Sequence, residues 1–154
     1  GINEIADADR LLNIINEGKV KALYLMNPKA ITGQNGNEKI KAALKKVEFA
    51  VTHATHLGDA LKSFSLVLPV STFAEKEGTF TNGLRIVQKI NMAFNPSLDL
   101  RSDWEVMAEL MNRMDCSLKV SKTEEIFDML SGENSAFKGM TYENIGESGR
   151  VLVS

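Results

Sequence analysis

Hydrogen-bonding side chains follow three apolar segments of this chain, each at the point where a predicted strand ends. They lie at residues 27–29 (Asn-Pro-Lys), 52–56 (Thr-His-Ala-Thr-His) and 69–72 (Pro-Val-Ser-Thr). In an open parallel sheet the carboxyl ends of the strands share one edge, and ligands bind in the crevice outside it. These residues therefore predict a site for a nucleotide-like or pterin-like ligand. The alternative is that these segments are polar only because loops lie at the surface.

A metal site is a second hypothesis for the same region. His53, His56 and Asp59 recur at three-residue spacing, which could place metal ligands on one helical face. The chain has two histidines and one cysteine, so no further histidine and no cysteine cluster completes the set. Solvated loop histidines, or a helix cap that involves Thr55, are therefore the favoured interpretation.

Glu75 and Glu77 form a close pair of carboxylates, as an acid/base mechanism could use. Lys76 stands between them, which favours a solvated charged turn over catalysis. The glycine patterns of dinucleotide-binding folds and P-loops do not occur in the sequence, so a free-standing nucleotide-binding module is disfavoured.

The sulfur-bearing side chains are predicted to be structural. The single cysteine, Cys116, excludes an internal disulfide and an iron–sulfur cluster held by this chain alone. We interpret it as a bystander thiol. Met107, Met111 and Met114 lie on one helical stripe, and this favours core packing over a cofactor site.

Helical and strand patterns alternate along the first half of the chain. The predicted order is helix (5–15), strand (20–26), helix (40–47), strand (49–52), one or two helical turns (56–63) and strand (65–70). Such alternation indicates an α/β fold, a Rossmann-like and mostly parallel sheet flanked by helices.

The second half is predicted to be an irregular, partly helical continuation. Its features are an extended segment within residues 84–94, helices that begin at capping boxes of Ser102 with Glu105 and of Ser121 with Glu124, a helix end at Gly132, and a strand at 151–153. No linker interrupts the chain, so residues 1–154 are predicted to be a single domain, itself a fragment of a larger one. The start at Gly1, without a methionine, also suggests a segment of a longer protein, with a processed chain or a tag scar as the alternatives.

Composition narrows the choice of partners. The net charge is -2 over 154 residues, which offers no electrostatic case for nucleic acid or an anionic membrane. No apolar run approaches the roughly 20 residues of a membrane helix, so direct membrane insertion is not expected. The content of one cysteine and seven methionines fits a reducing, cytoplasmic compartment.

The segment 66–82 resembles a signature of the molybdopterin oxidoreductase superfamily. A strand that ends in Leu68-Pro69 is followed by Glu75, then by Gly78 and Thr79, and then by Asn82. Three other segments resemble family elements in the same order, namely 20–28, 103–105 and 137–142. The sequence departs from the family pattern before Asn27, where a Gly-Glu pair is missing, and at 83–86, where Gly-Leu-Arg-Ile replaces Thr-Glu-Gly-Arg.

These departures remove polar groups that would help shape a cofactor pocket. The first hypothesis is therefore that this chain is a structural scaffold domain. The resemblance is then to the C-terminal part of the large iron–sulfur subunit of NADH-quinone oxidoreductase. It implies an oxidoreductase parent, an NADH dehydrogenase that carries iron–sulfur clusters and passes electrons to quinone in a respiratory complex. This segment would hold no cofactor and no catalytic residue. Its partners would be the N-terminal remainder of the same protein and the other proteins of the complex, in the cytoplasm and peripheral to the inner face of the cell membrane.

The second hypothesis, from the same resemblance, is an enzyme fragment. The parent would be a formate dehydrogenase-like molybdenum oxidoreductase, and the strand ends would hold part of molybdopterin guanine dinucleotide. Asn27, His53, Thr55 and Glu75 are then the candidate cofactor-binding residues. No metal-binding residue is assigned in either hypothesis.

Overall fold

The computed structural model describes residues 8–26, 38–96 and 100–153. The chain divides into two compact units, residues 1–70 and residues 71–154, which we call the N-terminal and the C-terminal unit. The prediction that residues 1–154 form one fragment of a larger domain stays a prediction.

The N-terminal unit is built on a three-stranded parallel sheet in the order β1-β2-β3. Its elements are α1 (Ala8–Asn16), β1 (Ala22–Leu25), α2 (Glu38–Leu44), β2 (Phe49–Ala54), a 3-10 helix (Asp59–Ser63) and β3 (Leu66–Pro69). The predicted α/β fold class, a parallel sheet flanked by helices, is confirmed. The predicted helix start at Ile5 and the loop at 31–37 lie outside the described residues.

Apolar side chains on the inner stripes of both helices cover the sheet. Leu12 and Leu23 pack against both buried clusters of this unit, which makes them parts of one continuous core. The buried residues of this core, all under 10% exposed, are Ile15, Leu25, Ile40, Ala43, Leu44, Val47, Ala50 and Phe64. Removal of this apolar surface from water is the main force that holds helices on the sheet.

Strand β2 runs two residues further than the sequence predicts. Its pairing with β3 continues through His53, opposite Leu68, to Ala54, opposite Pro69. These backbone hydrogen bonds depend on the neighbouring strand, so the local pattern of residue types does not reveal them. The extension moves His53 from a predicted loop into the sheet.

The C-terminal unit contains a three-stranded antiparallel sheet in the order β4-β5-β6. Its elements are a 3-10 helix (Phe73–Glu75), β4 (Gly78–Thr81), β5 (Ile86–Ile90), α3 (Asp103–Arg113), α4 (Thr123–Glu133), two 3-10 helices (Ser135–Phe137 and Glu143–Ile145) and β6 (Arg150–Val151). The predicted extended segment within 84–94 is confirmed as β5. The predicted final strand at 151–153 begins one residue earlier and ends two residues earlier, because only Arg150 and Val151 pair with β5.

A hairpin turn occupies the part of the signature around Asn82. The Asn82 side-chain oxygen accepts hydrogen bonds from the backbone N–H groups of Leu84 at 2.9 Å and Ile86 at 3.0 Å. Arg85 completes the turn with a positive φ of 63°. An asparagine side chain of this kind mimics a backbone turn, so Asn82 joins β4 to β5.

The core of the C-terminal unit lies on one face of the antiparallel sheet. Val87, which is completely buried, packs in a cluster with Phe127, Met140 and Ile145. Phe127 makes an edge-to-face contact with Tyr142, with ring centroids 6.1 Å apart. Two of these residues, Met140 and Tyr142, belong to the late family-like segment 137–142, which therefore contributes to the core.

Each of the two long helices of this unit begins at a side-chain capping interaction. The Glu105 carboxylate accepts hydrogen bonds from both the backbone N–H and the hydroxyl of Ser102 at 2.7 Å, which confirms the first predicted capping box. The second prediction is wrong by one residue. Glu125, instead of Glu124, accepts from the backbone N–H of Ser121 at 2.6 Å, because α4 begins at Thr123.

Helix α4 also continues past its predicted end. Gly132 lies within it, and Asn134 stands just beyond the last helical residue, Glu133. The Asn134 side chain accepts from the backbone N–H of Ala136 at 3.0 Å and starts the next 3-10 turn. This hydrogen bond from the backbone to the Asn134 side chain marks the change from helix to turn, which the sequence pattern places at Gly132.

Candidate functional site at the end of the parallel sheet

The carboxyl end of the parallel sheet is tied together by Thr52. Its hydroxyl donates a hydrogen bond to the carbonyl oxygen of Leu25 at 2.9 Å, and its side chain is fully buried. Leu25 is the last residue of β1 and pairs with Thr52 in the register of the sheet. The bond therefore holds the ends of β1 and β2 in fixed relative positions.

His53 lies inside the N-terminal unit, with 2% of its surface exposed. The hydroxyl of Tyr24 lies 2.6 Å from its Nε2 atom, and the two rings meet edge to face with centroids 5.4 Å apart. The prediction of a solvated loop histidine is wrong for His53, because β2 extends past it. The sequence pattern does not single out Tyr24; the only signal is that a buried tyrosine in a strand generally requires a hydrogen-bond partner.

Thr55 and His56 are both exposed immediately after β2. The Thr55 hydroxyl and Nδ1 of His56 are 2.9 Å apart, so the two side chains form one small polar group at the strand end. Among the predicted cofactor-binding residues of this unit, Thr55 is the one whose hydroxyl reaches solvent. Asn27 lies outside the described residues.

The described residues do not assemble the predicted metal constellation. His53 is buried beside Tyr24, whereas His56 and Asp59 are exposed. The Asp59 carboxylate instead lies 2.7 Å from the ammonium group of Lys62, and that hydrogen bond lowers the pKa of Asp59. Across residues 8–26, 38–96 and 100–153, no three histidine, cysteine or acidic side chains are placed to hold a metal ion.

Glu75 belongs to the C-terminal unit and is 8% exposed. Its carboxylate accepts hydrogen bonds from the backbone N–H of Thr72 at 2.8 Å and from the Thr72 hydroxyl at 3.0 Å. The prediction of a solvated turn is therefore wrong for Glu75, which caps a 3-10 helix. A cofactor-binding role for Glu75 stays a prediction.

The residues beside Glu75 contact other elements of the C-terminal unit. Lys76 forms an ion pair with Asp103 at the first turn of α3. The Thr123 hydroxyl donates to the Glu77 carboxylate at 3.4 Å. Glu75 and Glu77 thus serve different structural partners, and nothing in this arrangement places them as an acid/base pair.

One buried polar atom of the C-terminal unit lacks a partner within the part of the chain that the structure describes. It is the hydroxyl oxygen of Ser71, a residue with 1% of its surface exposed. Buried hydroxyls are normally hydrogen-bonded, so this one is suited to a water molecule or a ligand atom. The backbone N–H of Ser71 is already bonded to the carbonyl of Arg101 at 2.9 Å.

An open groove of about 580 Å³ runs beside helix α3. Its polar side chains already have partners: Glu109 pairs with both Arg101 and Arg113, and Asn112 bonds to the backbone of Leu118. The groove thus offers no catalytic group poised for chemistry. Its lining residues are Trp104, Glu105, Ala108, Glu109, Asn112, Arg113, Val120 and Ser121.

Comparison with known proteins identifies the family. The molybdopterin oxidoreductase family profile matches residues 3–113. That span covers most of the chain, so the chain belongs to the molybdopterin oxidoreductase family, as the sequence signature predicts.

Three relatives are similar over most of the chain. Formate dehydrogenase H of Escherichia coli is 29% identical over 134 residues, which cover 87% of this chain and 19% of the relative. The F420-dependent formate dehydrogenase subunit alpha of Methanocaldococcus jannaschii is 32% identical over 82% of this chain and 19% of its own. The NADPH-Fe(3+) oxidoreductase subunit alpha of Geobacter sulfurreducens is 31% identical over 96% of this chain and 17% of its own. The chain thus spans about a fifth or less of their length.

A solved structure shows the same fold. Acetylene hydratase from Pelobacter acetylenicus superimposes with a TM-score of 0.62 over 90% of this chain and 20% of that chain, at 19% identity.

No helix in the described part of the chain is long and apolar enough to cross a membrane.

Proposed function

We propose that this chain is the part of a formate dehydrogenase-like molybdopterin oxidoreductase that binds pterin guanine dinucleotide. The observation that carries the proposal is the similarity of over four-fifths of the chain to proteins named formate dehydrogenase. This similarity supports the second sequence-based hypothesis better than the first, in which the parent is the large iron–sulfur subunit of NADH-quinone oxidoreductase. The parent is in both cases an oxidoreductase.

The geometry of the N-terminal unit is compatible with such a ligand. The ends of β1 and β2 are held by the Thr52 hydrogen bond, and the polar pair Thr55–His56 follows directly at the carboxyl end, where ligands of parallel sheets bind. No acidic residue occurs between Ala54 and Gly58, so no carboxylate there opposes the negative diphosphate of a dinucleotide.

The predicted binding residues take different parts in this proposal. Thr55 would bind the dinucleotide directly through its hydroxyl. His53 would act as a positioning residue, because its Nε2 atom is engaged by Tyr24 inside the unit. When bound, the pterin-held metal supplies the redox chemistry, and the residues of this chain orient the dinucleotide. The remainder of the parent chain is the proposed partner of both units.

A reductant assay on the purified full-length parent tests this function. The proposal expects formate to reduce an artificial electron-acceptor dye, with activity that depends on protein concentration and disappears on heat inactivation. Reduction of the dye by NADH without any reduction by formate would contradict the proposal and favour the NADH-quinone oxidoreductase hypothesis. The relatives differ in their electron partners by name, so the natural acceptor has to be measured separately.

A further inference from the structure

Exposed apolar side chains mark surfaces that another element could cover. In the C-terminal unit, Met111 is 38% and Met114 is 68% exposed, so the prediction that the methionine stripe packs in the core is wrong at these two positions. In the N-terminal unit, Phe49 and Leu66 are 48% and 43% exposed, although both lie in strands of the parallel sheet. The second pair requires an explanation, because parallel sheets are normally covered on both faces.

Helices α1 and α2 cover the same face of the parallel sheet. Leu25 and Ala50 share a buried cluster with Ile40 of α2, and Leu23 packs against the cluster that contains Ile15 of α1. Leu23 and Leu25 lie on one face, because successive side chains of a strand point to opposite faces. The register places Ala50 opposite Leu23, on that same face. Neither helix therefore covers the other face.

The alternate residues of the three strands form that other face, which we call the outer face. Val51 of β2 pairs with Tyr24 of β1 and with Leu66 of β3, so the three side chains lie in one row across the sheet. Phe49 lies on the same face, two residues before Val51. The spacings of strands and of residues put the Cα atoms of Phe49 and Leu66 about 8 Å apart. These two exposed side chains thus belong to one surface.

The outer face has the composition of a covered surface. Parallel strands that are buried on both faces are apolar throughout, whereas strands with one solvated face alternate between apolar and polar residues. Strand β1 reads Ala-Leu-Tyr-Leu and β3 reads Leu-Val-Leu-Pro, without a charged residue in either. Further along β2, Val51 and His53 are buried. The exposed part of the outer face is therefore the region around Phe49 and Leu66.

We propose that an amphipathic α-helix from the rest of the parent polypeptide packs on the outer face, with its apolar stripe against Phe49 and Leu66. Parallel strands are joined by crossover connections, usually helices of the same chain, and these cover the faces of the sheet. The relatives have the necessary length, since about four-fifths of formate dehydrogenase H and of the NADPH-Fe(3+) oxidoreductase subunit alpha lie outside the matched region. The inference rests on the part of the proposed function that assigns this chain to a longer parent, and it does not require that the parent binds a pterin.

Photo-cross-linking within the full-length parent tests this contact. The photoreactive residue p-benzoylphenylalanine replaces Phe49, whose ring it retains, and ultraviolet light joins it to a neighbouring C–H group. We expect a product of monomer mass, in which mass spectrometry finds position 49 joined to a peptide from outside the 154 residues, with apolar residues at helical spacing. A product of twice the monomer mass, a cross-link to a separate protein, or no cross-link would overturn the proposal.

Leu57 provides the matched control, because it is an apolar residue of the same unit that is 93% exposed and lies beyond the end of β2. The photoreactive residue at position 57 should not capture the peptide that position 49 captures. Capture of the same peptide in equal yield from both positions would show non-specific cross-linking and overturn the assignment.

Charge substitutions give an independent measurement on the same parent. Phe49→Lys and Leu66→Lys should each lower the thermal unfolding midpoint, because they place a charge in an apolar contact, whereas Leu57→Lys should leave it unchanged. Equal midpoints for all three variants would contradict the covered face. Pterin content of the unmodified parent, measured in parallel, separates the two proposals. A parent without pterin that gives the expected cross-link supports the covered face and contradicts the proposed function, and a pterin-loaded parent without the cross-link does the reverse.

Discussion

Replacing Gly149 with alanine should destabilise the C-terminal unit by about 2–5 kcal/mol. Gly149 has a φ of 81°, a left-handed conformation that costs a residue with a side chain about 1–2 kcal/mol. A Cβ atom there would lie 2.7 Å from the carbonyl oxygen of Val87 and 2.8 Å from a side-chain carbon of Ile86. Strand β5 would have to move, and overpacking of this kind adds about 1–3 kcal/mol.

Gly139→Ala is the matched control for this change. Gly139 has a φ of 77°, almost the same as Gly149, but no heavy atom of the described structure lies within 4 Å of a Cβ built there. We therefore expect Gly139→Ala to cost only the conformational part, about 1–2 kcal/mol. The gain from restricting the unfolded chain is the same in both variants and cancels in the comparison.

Chemical denaturation of the two variants and the unmodified chain measures these costs. Trp104, the only tryptophan in the sequence, lies in α3 and reports on the C-terminal unit by fluorescence. Gly149→Ala should shift the unfolding midpoint clearly further than Gly139→Ala does. Equal shifts would refute the reasoning, because they would show that β6 is not packed as closely on β5 as the distances require.

Three further predictions concern single side chains. Tyr24→Phe removes the hydroxyl that lies 2.6 Å from Nε2 of buried His53, and it should lower the free energy of unfolding in urea by about 1–3 kcal/mol. An unchanged free energy of unfolding would contradict a hydrogen bond at that position. The backbone N–H of Ser121 donates to the Glu125 carboxylate and lowers the pKa of Glu125 below its ordinary 4.5. The ionised carboxylate therefore stabilises the folded state fully above pH 4.5, and this stabilisation is lost as the pH falls through the lower folded-state pKa. Glu125→Gln should flatten that part of the stability curve, and an unchanged acid limb would contradict the capping role. Thr55→Ala should change stability by less than about 0.5 kcal/mol but reduce the pterin content of the parent protein, whereas full pterin content would exclude Thr55 from the proposed site.

The parallel sheet of the N-terminal unit could be predicted from the sequence because its signals are local. Short apolar runs alternate with helical stripes, and each strand is followed by polar residues. The capping box of Ser102 is equally local, since both partners lie within four residues. These features require no knowledge of distant contacts, and the structure has them at the predicted positions or within a few residues.

The antiparallel sheet and the surroundings of His53 depend on distant contacts. Strand β4 exists because Phe80 pairs with Gln88 across a turn built by the Asn82 side chain, and its sequence alone resembles a polar loop. Tyr24, the partner of His53, is 29 residues away in the chain. Burial of His53 follows from strand pairing, which the spacing of His53 and neighbouring polar residues does not indicate.

The same limit applies to the family signature. Glu75 and Asn82 are conspicuous in sequence and suggest a cofactor loop, but the structure shows that each forms local hydrogen bonds with its own backbone neighbourhood. A residue that shapes a binding loop and a residue that touches the ligand have the same appearance in a sequence. Contacts distinguish the two roles.

The most direct test of the proposed function is the metal and pterin content of the full-length parent, purified from its own cells. Molybdenum or tungsten is measured by elemental analysis, and the pterin by its fluorescence after denaturation. The proposal predicts a near-stoichiometric amount of both. Iron and sulfide without either signal would contradict it and leave a cofactor-free domain within an electron-transfer protein.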